Sequence, residues 1–184
     1  MSIFVTSDFH FGHDREFIWK VRGFASVQEM NETMVKRFND QVGKYDDVYI
    51  LGDLFLGSAD NIRYISQLNG NLHLVRGNHD TDARWKLCQE RCYIVEASNA
   101  ILLNYYGYHI YMSHYPTLTG NLENESLKQM TINFYGHTHQ KSKFFEDRPY
   151  MYHVGVDAHD CYPVPIETII EMMAIKVSEC KFYL

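Results

Sequence analysis

The sequence lacks a surplus of positive charge: 17 Lys and Arg stand against 23 Asp and Glu, a formal net charge of -6. A chain that grips nucleic acid through its phosphates needs a basic face or stripe, so sequence-specific nucleic-acid binding is not expected. A small phosphorylated substrate, a nucleotide among them, stays open, because local cations or metal ions can hold one phosphate. Long apolar runs are missing as well. Nothing approaches the roughly 20 residues of a membrane-spanning helix. Met1 to Thr6 has neither the basic start nor the apolar stretch of a signal peptide. The expectation is a cytoplasmic chain with no membrane partner.

Cysteine is sparse. Cys88, Cys92, Cys161 and Cys180 form no C-x-x-C pair, and a chain of this size does not need disulfide staples, so they read as reduced thiols. Cys88 and Cys92 could share a helix face, but a metal-ligand reading would need partners at the right spacing. No repeat, linker or low-complexity segment interrupts the sequence. What remains is ordinary globular material, with 46% hydrophobic and 22% charged residues over 184 positions. That suffices for one domain over residues 1–184. Composition leaves the oligomeric state open.

Hydrophobic periodicity orders the elements. SIFVTSD reads as a buried strand ending in a polar loop. Met30, Met34, Val35, Phe38 and Val42 recur at helical spacing behind a Ser26 cap. A strand over Val48 to Leu51, a helix from about Ala59 to Leu68 and a strand in NLHLV follow. This β-α-β-α-β order indicates parallel strands, which place ligands beyond their carboxyl ends. After a helix near Asp82 to Cys92, the pattern changes. Ala100 to Tyr105 and Tyr108 to Ser113 flank Tyr106-Gly107 like a hairpin, and strands at about Thr131 to Tyr135 and Met151 to Val154 predict a second, mixed or antiparallel sheet. Glu167 to Met173 reads as a helix, and AIKVSECKFYL as one more strand.

Five polar clusters follow these strands: Asp8-Phe9-His10, Gly52-Asp53, Gly77-Asn78-His79-Asp80, Ser113-His114 and Gly136-His137-Thr138-His139. Each alone is weak, since a single histidine on a strand is more often a hydrogen-bonded structural residue than a ligand. Together they offer carboxylate, imidazole and amide groups and no thiolate. That donor set suits two divalent ions of the Mn, Fe, Zn or Ni type. A two-metal hydrolase is the inference, with the ions polarising a phosphoryl oxygen and lowering the pKa of a water.

The ordered set TSDFHFGH, LGD, RGNHD, SHYP and YGHTH spans residues 6–139. It resembles the motifs of the calcineurin-like metallophosphoesterases, and SDFHFGH resembles a subgroup of small bacterial and phage members. The resemblance implies an α/β fold, a four-layer α-β-β-α sandwich with two mixed sheets and a dinuclear metal site at the strand carboxyl-end loops. Carried over by position, Asp8, His10 and His139 would bind one ion and Asn78, His114 and His137 the other, with Asp53 bridging them. The implied activity is hydrolysis of phosphate esters by a hydroxide that the two metals activate. Asp53 and His79 would then carry the chemistry.

For His79 the family role is phosphate contact or protonation of the leaving oxygen, which suits an imidazole; the alternative is a residue that only orients Asn78. His13 reads as a phosphate contact or a loop stabiliser. Arg76 is the nearest cation to the site, for substrate, or else half of a buried ion pair. Asp80 reads as a supporting or turn residue, and the segment Gly155 to Asp160 as a cleft lining or a cap. The second motif continues Leu54-Phe55-Leu56 rather than the Asp-Arg-Gly of the protein serine/threonine phosphatases, which weighs against phosphoprotein substrates. Two further readings stay beside the leading one: a phosphodiesterase for cyclic nucleotides or nucleic-acid ends, and a metal-binding scaffold without catalysis.

Overall fold

The computed structural model describes residues 1–119 and 126–181. Three apolar runs become β1 (Ile3–Thr6), β2 (Asp47–Leu51) and β3 (Asn71–Val75), paired in parallel with Val5 opposite Tyr49 and Tyr49 opposite His73. Alternation along them sends Phe4, Val48, Ile50, Leu72 and Leu74 to one face and Val5, Tyr49, Leu51 and Val75 to the other. A fourth parallel strand, β4 (Ile94–Ser98), extends one edge, and the short antiparallel β9 (Val164–Pro165) closes the other. Proline is tolerated there because an edge strand leaves an N–H unneeded.

The first face is covered by α2 (Val27–Gln41), which inserts Met30, Met34, Val35 and Phe38 at the predicted spacing. Ser26 Oγ caps this helix by accepting from the Glu29 N–H at 3.1 Å. The short α1 (Glu16–Trp19) and α3 (Ile62–Ile65), and α4 (Asp82–Arg91), pack around the same core.

The second sheet has the order β5 (Ala100–Tyr105), β6 (Tyr108–Ser113), β7 (Thr131–Tyr135), β8 (Met151–His153). Its first pair is antiparallel and the other two parallel, so it is mixed. Tyr106 and Gly107 both take positive φ, 46° and 83°, the twist-matched geometry of a two-residue hairpin. Ile110, Met112, Ile132, Phe134 and Tyr152 meet Val5, Leu51 and Val75 of the first sheet in a second core. The architecture is therefore an α/β sandwich with two mixed sheets.

The C-terminal expectation is corrected. Residues 174–181 of AIKVSECKFYL are helical, within α5 (Ile166–Lys181), and residues 182–184 lie outside the described residues. Ile166, Ile169, Ile170, Met173 and Val177 keep helical spacing against the second core, with no Gly or Pro to end the turn. The helix expected over Ala59 to Leu68 is a 3-10 turn, Ala59–Asn61, followed by α3. Three elements went unread: α1 is a single turn, β4 lacks clean alternation and pairs with β3 through a register shift between Leu72 and His73, and β9 is two residues long and includes a proline.

Cys88, Cys92 and Cys161 are free thiols, and burial pushes Cys88 up and Cys92 to about 11. No helix among the described residues is long and apolar enough to cross a membrane.

Candidate metal centre

The two sheets meet where β1 ends: Ser7 bridges Gly155, the Val156 N–H donates to Ser7 O at 3.1 Å, and the His137 N–H donates to the Asp8 carboxylate at 2.9 Å. Five of the expected ligands adopt left-handed backbone there: Asp8 (φ 62°), His10 (51°), Asp53 (56°), His137 (71°) and His139 (51°). Side chains with a Cβ seldom occupy this region, and such strain persists only where the surroundings over-determine it. Here the loops hold one another. Asp8 N donates to Gly52 O and His10 N to Asp53 O, both at 3.0 Å. The buried Asp80 carboxylate accepts from the N–H groups of Asp53 and Gly77 at 2.8 Å and of Leu54 at 3.0 Å.

That frame brings all seven expected ligands together. His10 Nε2 stands 3.1 Å from His139 Nε2, and a donor atom of each lies within 4.8 Å of an Asp8 oxygen. Asn78 Oδ1 is 2.7 Å from His114 Nε2 and 2.9 Å from His137 Nδ1. Asp53 Oδ2 sits between the groups, 3.4 Å from His10 Nε2 and 3.5 Å from His114 Nε2. Its other oxygen accepts from the His79 N–H at 2.8 Å.

The chemistry of this convergence fits cations. His114 Nδ1–H donates to Leu51 O at 2.8 Å and His139 Nδ1–H to Asp157 Oδ2 at 2.8 Å. Each ring therefore turns a bare Nε2 lone pair inward. Around His114 Nε2 that lone pair faces two further acceptors, Asn78 Oδ1 and Asp53 Oδ2. Asp8 and Asp53 are 0% and 1% exposed, and unlike Asp80, whose oxygens accept three backbone N–H groups, they turn carboxylate oxygens toward imidazoles, where a cation would offset the buried charge. Burial raises the Asp8 carboxyl, against the lowering by His139 and His114. Burial, with His139 and Arg22, drives His10 down to about 2, which keeps its imidazole neutral and available as a ligand. The residues thus fit two divalent ions, of a type that O and N donors leave broad.

The remaining expected residues fall in different places. His79 is exposed, its ring 5.3 Å from that of His10, and no hydrogen bond joins it to Asn78 among the described residues. His13 stands beside them, 5.8 Å from the His10 ring, and is lowered by burial and by His79. Arg76 is occupied otherwise: its Nε donates to Asp80 O at 2.8 Å and its guanidinium pairs with Asp82. Asp157 resolves the Gly155 to Asp160 segment as part of the cleft, since its carboxylate holds His139 rather than capping α5. Burial works against that charge, but His139 and Arg22 hold its carboxyl well below the usual range. Likewise burial opposes protonation of His139, while Asp157 and Asp8 together raise it. Arg22 gave no motif signal.

Gly77 shows how tightly the centre is drawn. A Cβ there would lie 2.3 Å from Asp53 Oδ1 and 2.4 Å from Asp53 N. Gly77→Ala is therefore expected to displace Asp53 and to lower metal content below two ions per chain by elemental analysis. Full occupancy with unchanged turnover would contradict the closeness of this approach.

The chain is similar to known proteins over most of its length. An uncharacterized protein of Methanocaldococcus jannaschii is 29% identical over 183 residues, covering 93% of this chain and 90% of that protein. The gene 66 protein of Mycobacterium phage L5 is 29% identical over 184 residues, covering 83% and 85%. A protein of unknown function from Aquifex aeolicus shares the fold, with a TM-score of 0.71 at 21% identity over 93% of this chain and 98% of that one. The family model of the calcineurin-like phosphoesterase superfamily domain matches residues 1–155, which contain all seven expected ligands, and the chain belongs to that family.

Proposed function

We propose that the protein hydrolyses phosphate esters with two divalent cations, one held by Asp8, His10 and His139, the other by Asn78, His114 and His137, with Asp53 shared. The observation that carries this reading is the position of Asp53 Oδ2, within 3.4 Å of His10 Nε2 and 3.5 Å of His114 Nε2, and so inside both donor sets. When bound, two such ions draw charge from a phosphoryl oxygen and make a water acidic enough to supply a nucleophile near neutral pH. The phosphoryl group passes directly to water, with no phosphoenzyme.

The chain's own contribution is to position and to move a proton. Asp53 and Asp8 fix the centre from within buried loops. His79, exposed above His10, hands a proton to the leaving oxygen, a role worth about 10²- to 10⁴-fold. His13 lies at the same rim, where it meets the substrate phosphate.

A diester reading is favoured by a second observation. Phe17, 67% exposed, packs 5.7 Å from the His13 ring, and Tyr115, 51% exposed, packs 4.6 Å from the His137 ring. Exposed rings thus flank the centre on both its His10 and His137 sides, where flat substituents such as nucleobases would stack.

The test is a panel on metal-stripped protein: Mn²⁺, Fe²⁺, Zn²⁺ and Ni²⁺, each against an aryl monoester, an aryl diester, a cyclic nucleotide and a dinucleotide. Turnover is expected only with metal, with two ions bound per chain. Faster turnover of the diesters supports the second reading. Two bound ions with no turnover of any ester would leave a metal-binding scaffold.

A further inference from the structure

We infer that Arg22 and Asp157 are positioning residues that preorganise one half of the metal centre, the Asp8, His10 and His139 half, and so make its two cation sites unequal. This inference rests on the two-cation reading above. Arg22 belongs to none of the polar motifs, yet its side chain is 3% exposed and its guanidinium is fully engaged. Nε donates to Asp157 Oδ1 at 2.8 Å and Nη2 to Asp157 Oδ2 at 2.9 Å, a bidentate pair. Nη2 also donates to Asp8 O at 2.8 Å and Nη1 to Phe9 O at 2.9 Å. With its donors turned inward, this arginine has no arm to offer a substrate.

The four bonds reach both ends of one ligand set. The carbonyls of Asp8 and Phe9 belong to the loop whose flanking residues, Asp8 and His10, are left-handed. Holding those two oxygens opposes relaxation of that strained backbone. On the opposite side, Asp157 Oδ2 accepts His139 Nδ1–H at 2.8 Å, which fixes the tautomer and strengthens Nε2 as a donor. One guanidinium therefore ties Asp8 to His139 across 131 residues of chain, through Asp157.

Among the described residues, neither ligand imidazole of the other half rests on a carboxylate through its outer nitrogen. His114 is oriented by a neutral acceptor, Leu51 O, and the described contacts of the His137 side chain are Asn78 Oδ1 and the rings of His114 and Tyr115. The clamp does not reach the His10 ring, whose Nδ1 is buried without a hydrogen-bond partner among the described residues. A carboxylate on a ligand imidazole raises its basicity more than a carbonyl does, and losing such a partner typically costs about 10- to 100-fold in metal affinity.

The experiment is Mn²⁺ titration calorimetry on metal-stripped protein in two backgrounds. His137→Ala leaves the first half intact, and His10→Ala leaves the second. Into each are placed Asp157→Asn and, separately, Arg22→Lys, which keeps the charge but loses the fork. In the His137→Ala background each change is expected to weaken Mn²⁺ binding about 10- to 100-fold. In the His10→Ala background it should stay within about twofold, the spread expected of independent sites. Equal weakening in both backgrounds would show a general structural role and overturn the inference, as would no weakening in the first. Melting of the metal-free variants is followed alongside. If Arg22→Lys does not fold, the near-isosteric Asp157→Asn decides alone. Absence of Mn²⁺ binding in both backgrounds, and in the unsubstituted protein, would instead remove the two-cation reading and this inference with it.

Discussion

Asp53→Asn should abolish turnover while leaving the metal-free protein at least as stable as before. The two halves of this outcome have one cause. Asp53 is 1% exposed and its Oδ2 faces two imidazole nitrogens at 3.4 Å and 3.5 Å. Without metal, this is a buried carboxylate set against the lone pair of His114 Nε2, an arrangement that costs stability. An asparagine can keep its oxygen on the His79 N–H, which Asp53 Oδ1 now accepts at 2.8 Å, and turn its NH₂ toward the bare Nε2 of His114, whose Nδ1–H is spent on Leu51 O. The repulsion becomes a hydrogen bond.

On the two-cation reading the same change is costly once metal is bound, because a donor would then stand where the shared anion is needed. The loss of rate should exceed the about 100-fold that ends the range for a supporting partner, and elemental analysis should show fewer than two ions per chain. A variant that holds two ions tightly and turns over normally would remove Asp53 from the bridging position. A metal-free variant that melts far below the parent would mean that the carboxylate serves the loops more than the metals.

The expected ligands were legible as polar clusters because each cluster follows an apolar strand, and parallel strands deliver such residues to one end of a sheet. Asp8 follows β1, and Asp53 and Asn78 come just beyond β2 and β3; a local pattern found all three. Arg22 was illegible for the opposite reason. It sits after a single helical turn, and its partner Asp157 lies 135 residues away, so nothing near it in the chain signals that its charge is buried. Asp157 itself was visible only as one member of a polar run with two open readings. Arg76 looked like the nearest cation to the site, but the turn after β3 commits it to Asp80 and Asp82. The misread tail has a comparable origin. AIKVSECKFYL taken alone is β-rich, and its helical register appears only when Ile166 to Met173 is read straight through it.

His79→Ala should keep both metals and lose rate selectively. The substitution is clean because the backbone N–H of His79, and not its ring, serves Asp53, so the scaffold of the bridge survives the truncation. What disappears is an exposed imidazole 5.3 Å, ring to ring, from His10. If that ring protonates the leaving oxygen, esters of poorly acidic alcohols should slow by on the order of 10²-fold or more, since their oxygen cannot depart as an anion. Activated aryl esters, whose phenolate leaves unaided, should slow far less. A plot of log kcat/KM against leaving-group pKa should accordingly be steeper for the variant than for the parent. Parallel lines separated by a constant loss would assign His79 to phosphate binding, and a fall in metal content would return it to a role in placing Asn78. Unchanged kinetics across the series would leave proton delivery to solvent and exclude His79 from the chemistry.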